Sequence, residues 1–434
     1  MSNKIKPSIL PGFMELLPNE QLIFNDIASK VTGVYEQNGF LPMDTPVIEK
    51  EEILLAKSAG ETEKQVYRID NKDRKQVLRF DLTVPFSRFA AQYMGELTFP
   101  FKRYQLGKVY RGERNQKGRY REFYQCDVDI VGNGSLSIKN DAFVISMASK
   151  ALKKIGLKTY KFQISNRKIL TGILEGLKVQ NMQEVMILID KYDKITEEQF
   201  LSDLNELVGE DNAKIIDKVI KISGSSSEVV EGLKNIDVKN EMLDKGIEEV
   251  EEVIKYLKLF GVEDNEYAIN LKIIRGLDYY TGTVFETLLT GNESYGSICS
   301  GGRYDNLAQN YTASVLPGVG MSIGMTRLFF VLKEIGFIDK YENGLNDKYL
   351  IIPIGDTFEY CSHILKKLLE KGKNAEMYFE EGKLKKKLTY ANKLNIKYVI
   401  LVGEDEVNNG EFDIKDMVTG EQKKLKLSSI DLEH

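Results

Sequence analysis

Arg111, Glu113, Arg114, Lys117, Arg119 and Arg121 crowd the short run between Tyr110 and Glu122. A guanidinium is a planar fork that makes two parallel charge-assisted bonds, so such a run suits phosphate oxygens. The residues that follow read as a strand, whose side chains alternate between two faces. Tyr124, Cys126, Val128 and Ile130 share one face and suit a core. Phe123, Gln125, Asp127 and Asp129 share the other, and three of those four are polar. Two readings of that polar face stand side by side. It is a sheet face open to water, or it is a site where carboxylates, an amide and guanidiniums converge.

A hairpin must hold these residues. Its strands are expected near 102–112 and 121–131, with the charged run at its tip. Before it, Leu22, Ile23, Ile27, Val31, Val34 and Tyr35 recur at helical spacing, and Gly39 ends that helix. Residues 40–50 read as extended. After the hairpin a helix is expected at 140–155 and a strand at 160–165.

From about 170 to 260 the chain turns charged, helical and poor in aromatics, as in Glu248-Glu249-Val250-Glu251-Glu252-Val253-Ile254. Strand-like sequence resumes at Thr283–Leu289 and Ser297–Ser300, and a helix is expected at 322–335. This pattern predicts a helical domain inserted into a strand-bearing one. Gly336 to Lys348 reads as a polar linker. Beyond it, apolar runs at Tyr349–Ile354 and Lys397–Val402 and a strand at Ala375–Phe379 alternate with helices at 360–372 and 383–394. That alternation argues βαβ units and a small mixed or parallel sheet.

The bulk numbers bound the function. A chain of 434 residues exceeds one ordinary domain. The net charge of −5 gives no global signal for nucleic acid, although only a local basic groove meets phosphates. Cys126, Cys299 and Cys361 are far apart, so no CxxC pair suggests zinc or redox chemistry, and their sparseness fits a reducing cytoplasm. The two histidines, His363 and His434, make a catalytic His triad or a multi-His metal site untenable. No stretch reaches the roughly 18–20 apolar residues of a membrane span, and no signal peptide opens the chain. The final Leu432-Glu433-His434 looks like part of a purification tag.

Tyr110-Arg111-Gly112-Glu113-Arg114 with Arg121-Glu122-Phe123-Tyr124-Gln125-Cys126-Asp127 resembles the second signature motif of class II aminoacyl-tRNA synthetases, in the form seen in histidyl-tRNA synthetases. Asp81-Leu82-Thr83-Val84-Pro85 resembles that family's amino-acid-binding loop. Arg275-Gly276-Leu277-Asp278-Tyr279-Tyr280-Thr281-Gly282 resembles its histidine-specific signature. Gly318-Val319-Gly320 through Gly324-Met325-Thr326-Arg327-Leu328 resembles the third class II motif, a strand–helix unit ending in an arginine. The region from Gly39 to Pro46 resembles the first motif, which forms the dimer interface. The resemblance runs from about residue 8 to 430 and keeps the motifs in order.

The resemblance implies an α/β chain of four pieces. Residues 1–168 and 262–335 would form an α+β catalytic domain with an antiparallel sheet flanked by helices. Residues 169–261 would be the inserted helical domain, leaning on the tRNA acceptor arm. Residues 345–431 would be an α/β anticodon-binding domain. The implied activity is histidine–tRNA ligation: ATP converts L-histidine to an adenylate and pyrophosphate, and histidine then passes to the 3′ end of tRNA(His). The implied partners are L-histidine, ATP, tRNA(His) and a second copy of the chain, with no membrane. Mg2+ is expected with ATP, with Glu286, Asp127 and Glu113 as candidate ligands.

By the same resemblance, Arg111 and Arg275 would be catalytic, holding the α-phosphate and the substrate carboxylate. Glu113 would face adenine. Arg119, Arg121 and Arg327 would hold the outer phosphates, while Gly301, Gly302 and Gly324 would admit the nucleotide. Asp81, Thr83 and Gln125 would take the histidine ammonium, with Leu82 lining the same loop. Asp129 and Tyr280, with Tyr279 beside it, would read the ring. Lys383, Lys385, Lys386 and Lys387 are either a solvated helix face or contacts to anticodon-stem phosphates, with Tyr378 or Phe379 stacking a base. The alternative is a catalytically inactive regulatory or tRNA-sensing relative. Such relatives lose the Arg275–Tyr280 type of stretch or the C-terminal domain, and this chain keeps both. A proline or glycine synthetase would have no ring nitrogens to satisfy, which speaks against it.

Overall fold

The computed structural model describes residues 5–56, 61–70, 74–114, 117–274, 279–341 and 347–426. The chain divides into two compact units, Met1–Glu15 with Ile27–Ile335, and Leu16–Asp26 with Gly336–His434. The larger unit carries strands β1 (Leu41–Pro42), β2 (Ile48–Lys50), β3 (Arg68–Ile69), β4 (Gln76–Leu78), β5 (Phe101–Tyr110) and β6 (Glu122–Val131). It continues with β7 (Tyr160–Asn166), β8 (Tyr267–Ile269), β9 (Thr283–Leu289), β10 (Cys299–Tyr304) and β11 (Gly318–Gly324). Eight of these form one sheet in the order β1-β5-β6-β11-β10-β9-β7-β8, and β2-β4-β3 form a small second one. Neighbours from β5 to β7 are antiparallel. The outer pairs, β1 with β5 and β7 with β8, are parallel. The expected antiparallel sheet is therefore its centre, with parallel edges.

The flanking helices begin with α1 (Pro18–Gln37), α2 (Glu51–Leu54), α3 (Glu61–Gln65), α4 (Thr83–Gln92) and α5 (Lys139–Lys154). α5 shows why the sequence folds here. Ala142, Ile145, Ala148 and Leu152 are buried together, and Lys153 and Lys154 complement the dipole of its last turn. The helical run follows as α6 (Arg167–Gly176), α7 (Met182–Asp190), α8 (Glu197–Val208), α9 (Glu210–Ile220), α10 (Ser226–Lys234) and α11 (Glu241–Leu259). Side chains of Asn166, Thr196, Ser225 and Asn240 cap α6, α8, α10 and α11. Phe200, Leu204, Ile216 and Leu174 lie in the core beneath these helices. After β11 the chain enters α12 (Met325–Glu334).

The smaller unit holds β12 (Lys348–Pro353), α13 (Phe358–Glu370), β13 (Asn374–Met377), α14 (Leu384–Lys393), β14 (Tyr398–Val402), α15 (Glu404–Asn409), β15 (Glu411–Asp416) and β16 (Gln422–Lys426). Its sheet runs β13-β12-β14-β15-β16. β13, β12 and β14 are parallel, and the last three are antiparallel. Ile351 and Ile400 enter one core and Leu350, Ile352 and Val399 another, so both sheet faces are covered. That is why these strands read as unbroken apolar runs.

Several expectations shift. Ser322–Gly324 belong to β11, so the helix expected at 322–335 begins at Met325. Thr83 opens α4 instead of lying in a loop. Ile338–Lys340 form one 3-10 turn inside the expected linker. The β15–β16 hairpin, α15 and the small sheet went unread. Among the described residues no helix is long and apolar enough to cross a membrane.

Candidate active site

Strand register decides what the polar face of β6 meets. Across β5, Gly107 stands opposite Gln125, Gln105 opposite Asp127, and Arg103 opposite Asp129. Across β11, the same three face Gly324, Ser322 and Gly320. The face is closed to water: Asp127 and Asp129 are 2% exposed and Gln125 is 9% exposed. The water-facing reading of this strand is therefore wrong, because the segment around Asp81 and Leu82 and the start of α4 pack over this face, as the contacts of Arg103 with the Leu82 carbonyl and the Phe86 ring show.

Gln125 donates its amide to the Ser322 hydroxyl at 2.8 Å. Asp81 sits just before α4, and its Oδ1 accepts the Val84 N–H at 3.0 Å. Among the described residues, Asp81 Oδ2, Gln125 Oε1 and Asp127 Oδ1 are buried without a hydrogen-bond partner. Burial pushes the Asp81 carboxyl up to about 6, against the pull of the Val84 N–H, Arg111 and Arg103. Burial pushes Asp127 up to about 7, with Arg103 opposing and Asp129 adding. Burial also raises Asp129, against Arg103 and a hydrogen bond from Tyr304.

Three buried carboxyl groups thus surround Arg103, which is fully buried. A guanidinium keeps its proton in a protein. Arg103 therefore holds one carboxylate ionised, and Asp129, at 2.5 Å, is that one. The contact is an ion pair outside hydrogen-bond geometry. The remaining carboxyls are short of positive charge, so a small cation with N–H donors fits them. Among the described residues no three His, Cys, Asp or Glu side chains converge as metal ligands. A primary ammonium answers this arrangement better than a caged ion.

The hairpin tip gathers the arginines. Arg111 donates Nε to the Phe80 carbonyl at 3.0 Å and lies 5.2 Å over the Phe123 ring. Glu113 stands 3.9 Å from Arg111 and 3.4 Å from Arg119. Arg121 donates Nε to the Glu113 carbonyl at 3.1 Å. Arg327, the third residue of α12, reaches the carbonyls of Gly118 and Ser297 at 3.3 and 3.1 Å. Arg111, Glu113, Arg119, Arg121 and Arg327 are therefore brought together. Arg111 links them to the carboxylate pocket through its field on Asp81.

Tyr279 and Tyr280 pack with ring centroids 4.8 Å apart, and Tyr279 hydrogen-bonds Thr83. Leu82 is fully buried, and its carbonyl accepts from Arg103 at 3.3 Å. A Cβ on Gly302 would stand 2.8 Å from the Tyr280 ring, so Tyr280 occupies the space above that glycine. Arg275, with Gly276, Leu277 and Asp278, lies outside the described residues.

The sequence reading missed Arg103, Tyr304 and Ser322. Tyr304 donates its hydroxyl to Asp129 Oδ1 at 2.7 Å. Its phenol is pushed well up, by burial first and then by the Asp129 charge. The alternation used for β6 also puts Arg103 and Gln105 on one face of β5, a signal open to reading. Tyr304 and Ser322 needed the strand order.

The family model described as Histidyl-tRNA synthetase matches residues 12–328, and one described as Anticodon binding domain matches 348–431. The chain belongs to the histidyl-tRNA synthetase family. It is 85% identical to the histidine–tRNA ligase of Clostridium acetobutylicum over 99% of this chain and 100% of that one. It is 50% identical to the histidine–tRNA ligase of Clostridium tetani over 98% and 97%. A solved histidyl-tRNA synthetase from a Nostoc species superposes with a TM-score of 0.89 at 32% identity, covering 98% of this chain and 97% of that one. The expected membership of this class II family is borne out. The inactive regulatory alternative draws no support from these full-length ligases.

Proposed function

We propose that this chain activates L-histidine with ATP and transfers it to the 3′ end of tRNA(His), as a histidine–tRNA ligase. The observation that carries the reading is the buried trio Asp81, Asp127 and Asp129, with unpartnered oxygens on Asp81 and Asp127, at the root of an arginine-bearing hairpin. Asp81, Thr83 and Gln125 take the substrate ammonium, beside Leu82. Asp129, Tyr279 and Tyr280 line the ring. Arg111 lies between the pocket and the tip, where it meets the substrate carboxylate and the α-phosphate as they join. Arg119, Arg121 and Arg327 hold the outer phosphates, Glu113 turns from its arginine partners to adenine, and Gly302 leaves room for the Tyr280 ring that lies over it. Arg275 supplies the second catalytic guanidinium.

No protein nucleophile is needed. The first step requires alignment of carboxylate and phosphate and neutralisation of growing charge. Mg2+ accompanies ATP and neutralises its phosphates. Such an ion keeps several waters and takes one or two carboxylates. With Glu113 turned to adenine, the half-buried Glu286 would suit it, whereas the enclosed Asp127 would not.

In the smaller unit Phe379 is 70% exposed and lies 6.2 Å from the exposed Phe358 ring. Tyr378 is instead packed against that unit's core and edge-on to Tyr390. Phe379 is the better platform for an unpaired base. Lys383, Lys385 and Lys386 are exposed at the start of α14, where positive charge opposes the helix dipole. Lys387 already donates to the Pro353 carbonyl at 2.9 Å. The first three therefore serve phosphates better than they serve the helix. The catalytic domain is built of residues 1–168 and 262–335, the inserted helical domain of 169–261, and the anticodon-binding domain of 345–431. The enzyme works as a cytoplasmic homodimer.

The test is transfer of labelled histidine to a tRNA(His) transcript. Acid-precipitable label that depends on both ATP and the transcript is the expected result. Its absence from folded protein would refute the proposal.

A further inference from the structure

Arg103 is the largest fully buried side chain among the described residues. It is also the point where the pieces of the pocket meet. Its Nη2 stands 2.5 Å from Asp129 and 3.3 Å from the Leu82 carbonyl, in the segment between Asp81 and Thr83. Its Nη1 reaches Gln105 at 3.4 Å. The flat guanidinium lies 4.3 Å over the Phe86 ring on α4. One planar group thus ties strand β6 to the Asp81–Thr83 segment.

Asp129 is held from three sides. Arg103 on β5 meets one oxygen, and Tyr304 on β10 donates to the other at 2.7 Å. The bare backbone of Gly320 on β11 lies beneath it. An aspartate so held has little rotational freedom, and the guanidinium and the phenol beside it favour its ionised form against the cost of burial. Tyr304, whose hydroxyl hydrogen is directed at Asp129, presents its oxygen lone pairs beside that carboxylate. Together they form a fixed acceptor for a ring N–H.

We propose that Arg103 is a positioning residue for amino-acid specificity: without touching the substrate, it locks the Asp129–Tyr304 pair as the acceptor that reads the N–H of the histidine ring. The inference rests on the histidine-activating reading above. An ammonium at this position would not serve, because it lacks the flat fork that meets Asp129 and Leu82 while covering Phe86.

The experiment is ATP–pyrophosphate exchange with histidine and with β-(thiazol-4-yl)alanine, whose ring has a similar shape and no N–H. The proteins are the full-length parent, Arg103→Met, Arg103→Lys, Asp129→Asn and the Arg103→Met/Asp129→Asn double variant. Arg103→Met should lower the histidine-over-thiazole ratio of kcat/KM by about tenfold or more. The Michaelis constant for ATP should stay within about twofold, and Arg103→Lys should rescue little. The double variant should match Asp129→Asn alone, because both act on one element. If the lone Asp129 charge prevents Arg103→Met from folding, the double variant removes both charges, and its match to Asp129→Asn decides the matter.

An unchanged ratio in Arg103→Met, or losses that multiply in the double variant, would overturn the inference and leave Arg103 a scaffold. A folded parent with no histidine-dependent exchange would overturn both this inference and the functional reading. A histidine-dependent parent with an unaltered variant ratio would overturn this inference alone.

Discussion

Gly320 lies directly beneath the carboxylate of Asp129, so closely that a Cβ at position 320 would stand 1.9 Å from Asp129 Oδ1. The strand there has room for a backbone and for nothing more. Gly320→Ala should displace Asp129 from Tyr304 and Arg103. Overpacking of this kind costs about 1–3 kcal/mol of stability. The Michaelis constant for histidine should rise by about tenfold or more, while that for ATP changes little. Steady-state exchange kinetics check this. An alanine variant with parental histidine kinetics would mean that Asp129 does not touch the amino acid.

Asp127 makes stability depend on pH. Its folded pKa of about 7 stands above the ordinary 3.8. The folded state therefore holds this proton more tightly than the unfolded chain does. The sign follows: stability rises as pH falls through about 7, and is lost as pH rises through it. Between pH 5 and pH 8 the ionisation cost grows by roughly 3 kcal/mol on the linkage relation. Asp127→Asn should thus gain stability on the parent, by about that much more at pH 8 than at pH 5. Denaturant unfolding at the two pH values measures it. A difference independent of pH would show that Asp127 is ionised throughout.

Arg275 carries a kinetic prediction from the family membership. An interaction made mainly in the transition state acts on the rate constant. Removing one preorganised donor commonly costs about 10²–10³ in rate. Arg275→Ala should slow adenylate formation by that factor, with a smaller change in the Michaelis constant for ATP. Pre-steady-state pyrophosphate release measures it. A variant within about threefold of the parent would leave catalysis to Arg111.

Phe379 separates tRNA recognition from activation. Stacking on an exposed aromatic ring is worth about 1–3 kcal/mol per base. Phe379→Ala should raise the Michaelis constant for tRNA by roughly fivefold to a hundredfold and leave pyrophosphate exchange unchanged. Aminoacylation titrated with transcript checks it. Equal loss in both assays would place Phe379 in folding instead of recognition.

Much of this architecture was legible because single elements carry their own signals. The alternation of Tyr124 to Ile130 marked β6, and Thr283–Leu289 was found as it stands in β9. The parallel core of the smaller unit showed in its apolar runs. Arg111, Glu113, Arg119, Arg121 and Arg327 were placed by motif, and the fold gathers them. Arg103 could be placed on a polar face of its own strand, but that it and Tyr304 meet Asp129 was not legible, for a geometric reason. Strands set at 102–112 and 121–131 would pair Arg103 with Ile130, on the wrong face. The true register starts one residue earlier and pairs it with Asp129. A one-residue slip exchanges the two faces of a strand. Tyr304 meets Asp129 only because β11 and β10 follow β6 in the sheet, an order the sequence does not spell out. The β15–β16 hairpin escaped because Gln422–Lys426 is polar and exposed, with little apolar alternation to announce it.

The buried carboxylates and the hairpin arginines together claim one substrate among many. ATP–pyrophosphate exchange by the full-length protein, run with each standard amino acid in turn at similar concentration, tests that claim most directly. Histidine alone should support exchange. Exchange with proline or glycine, or none with histidine from folded protein, would contradict it.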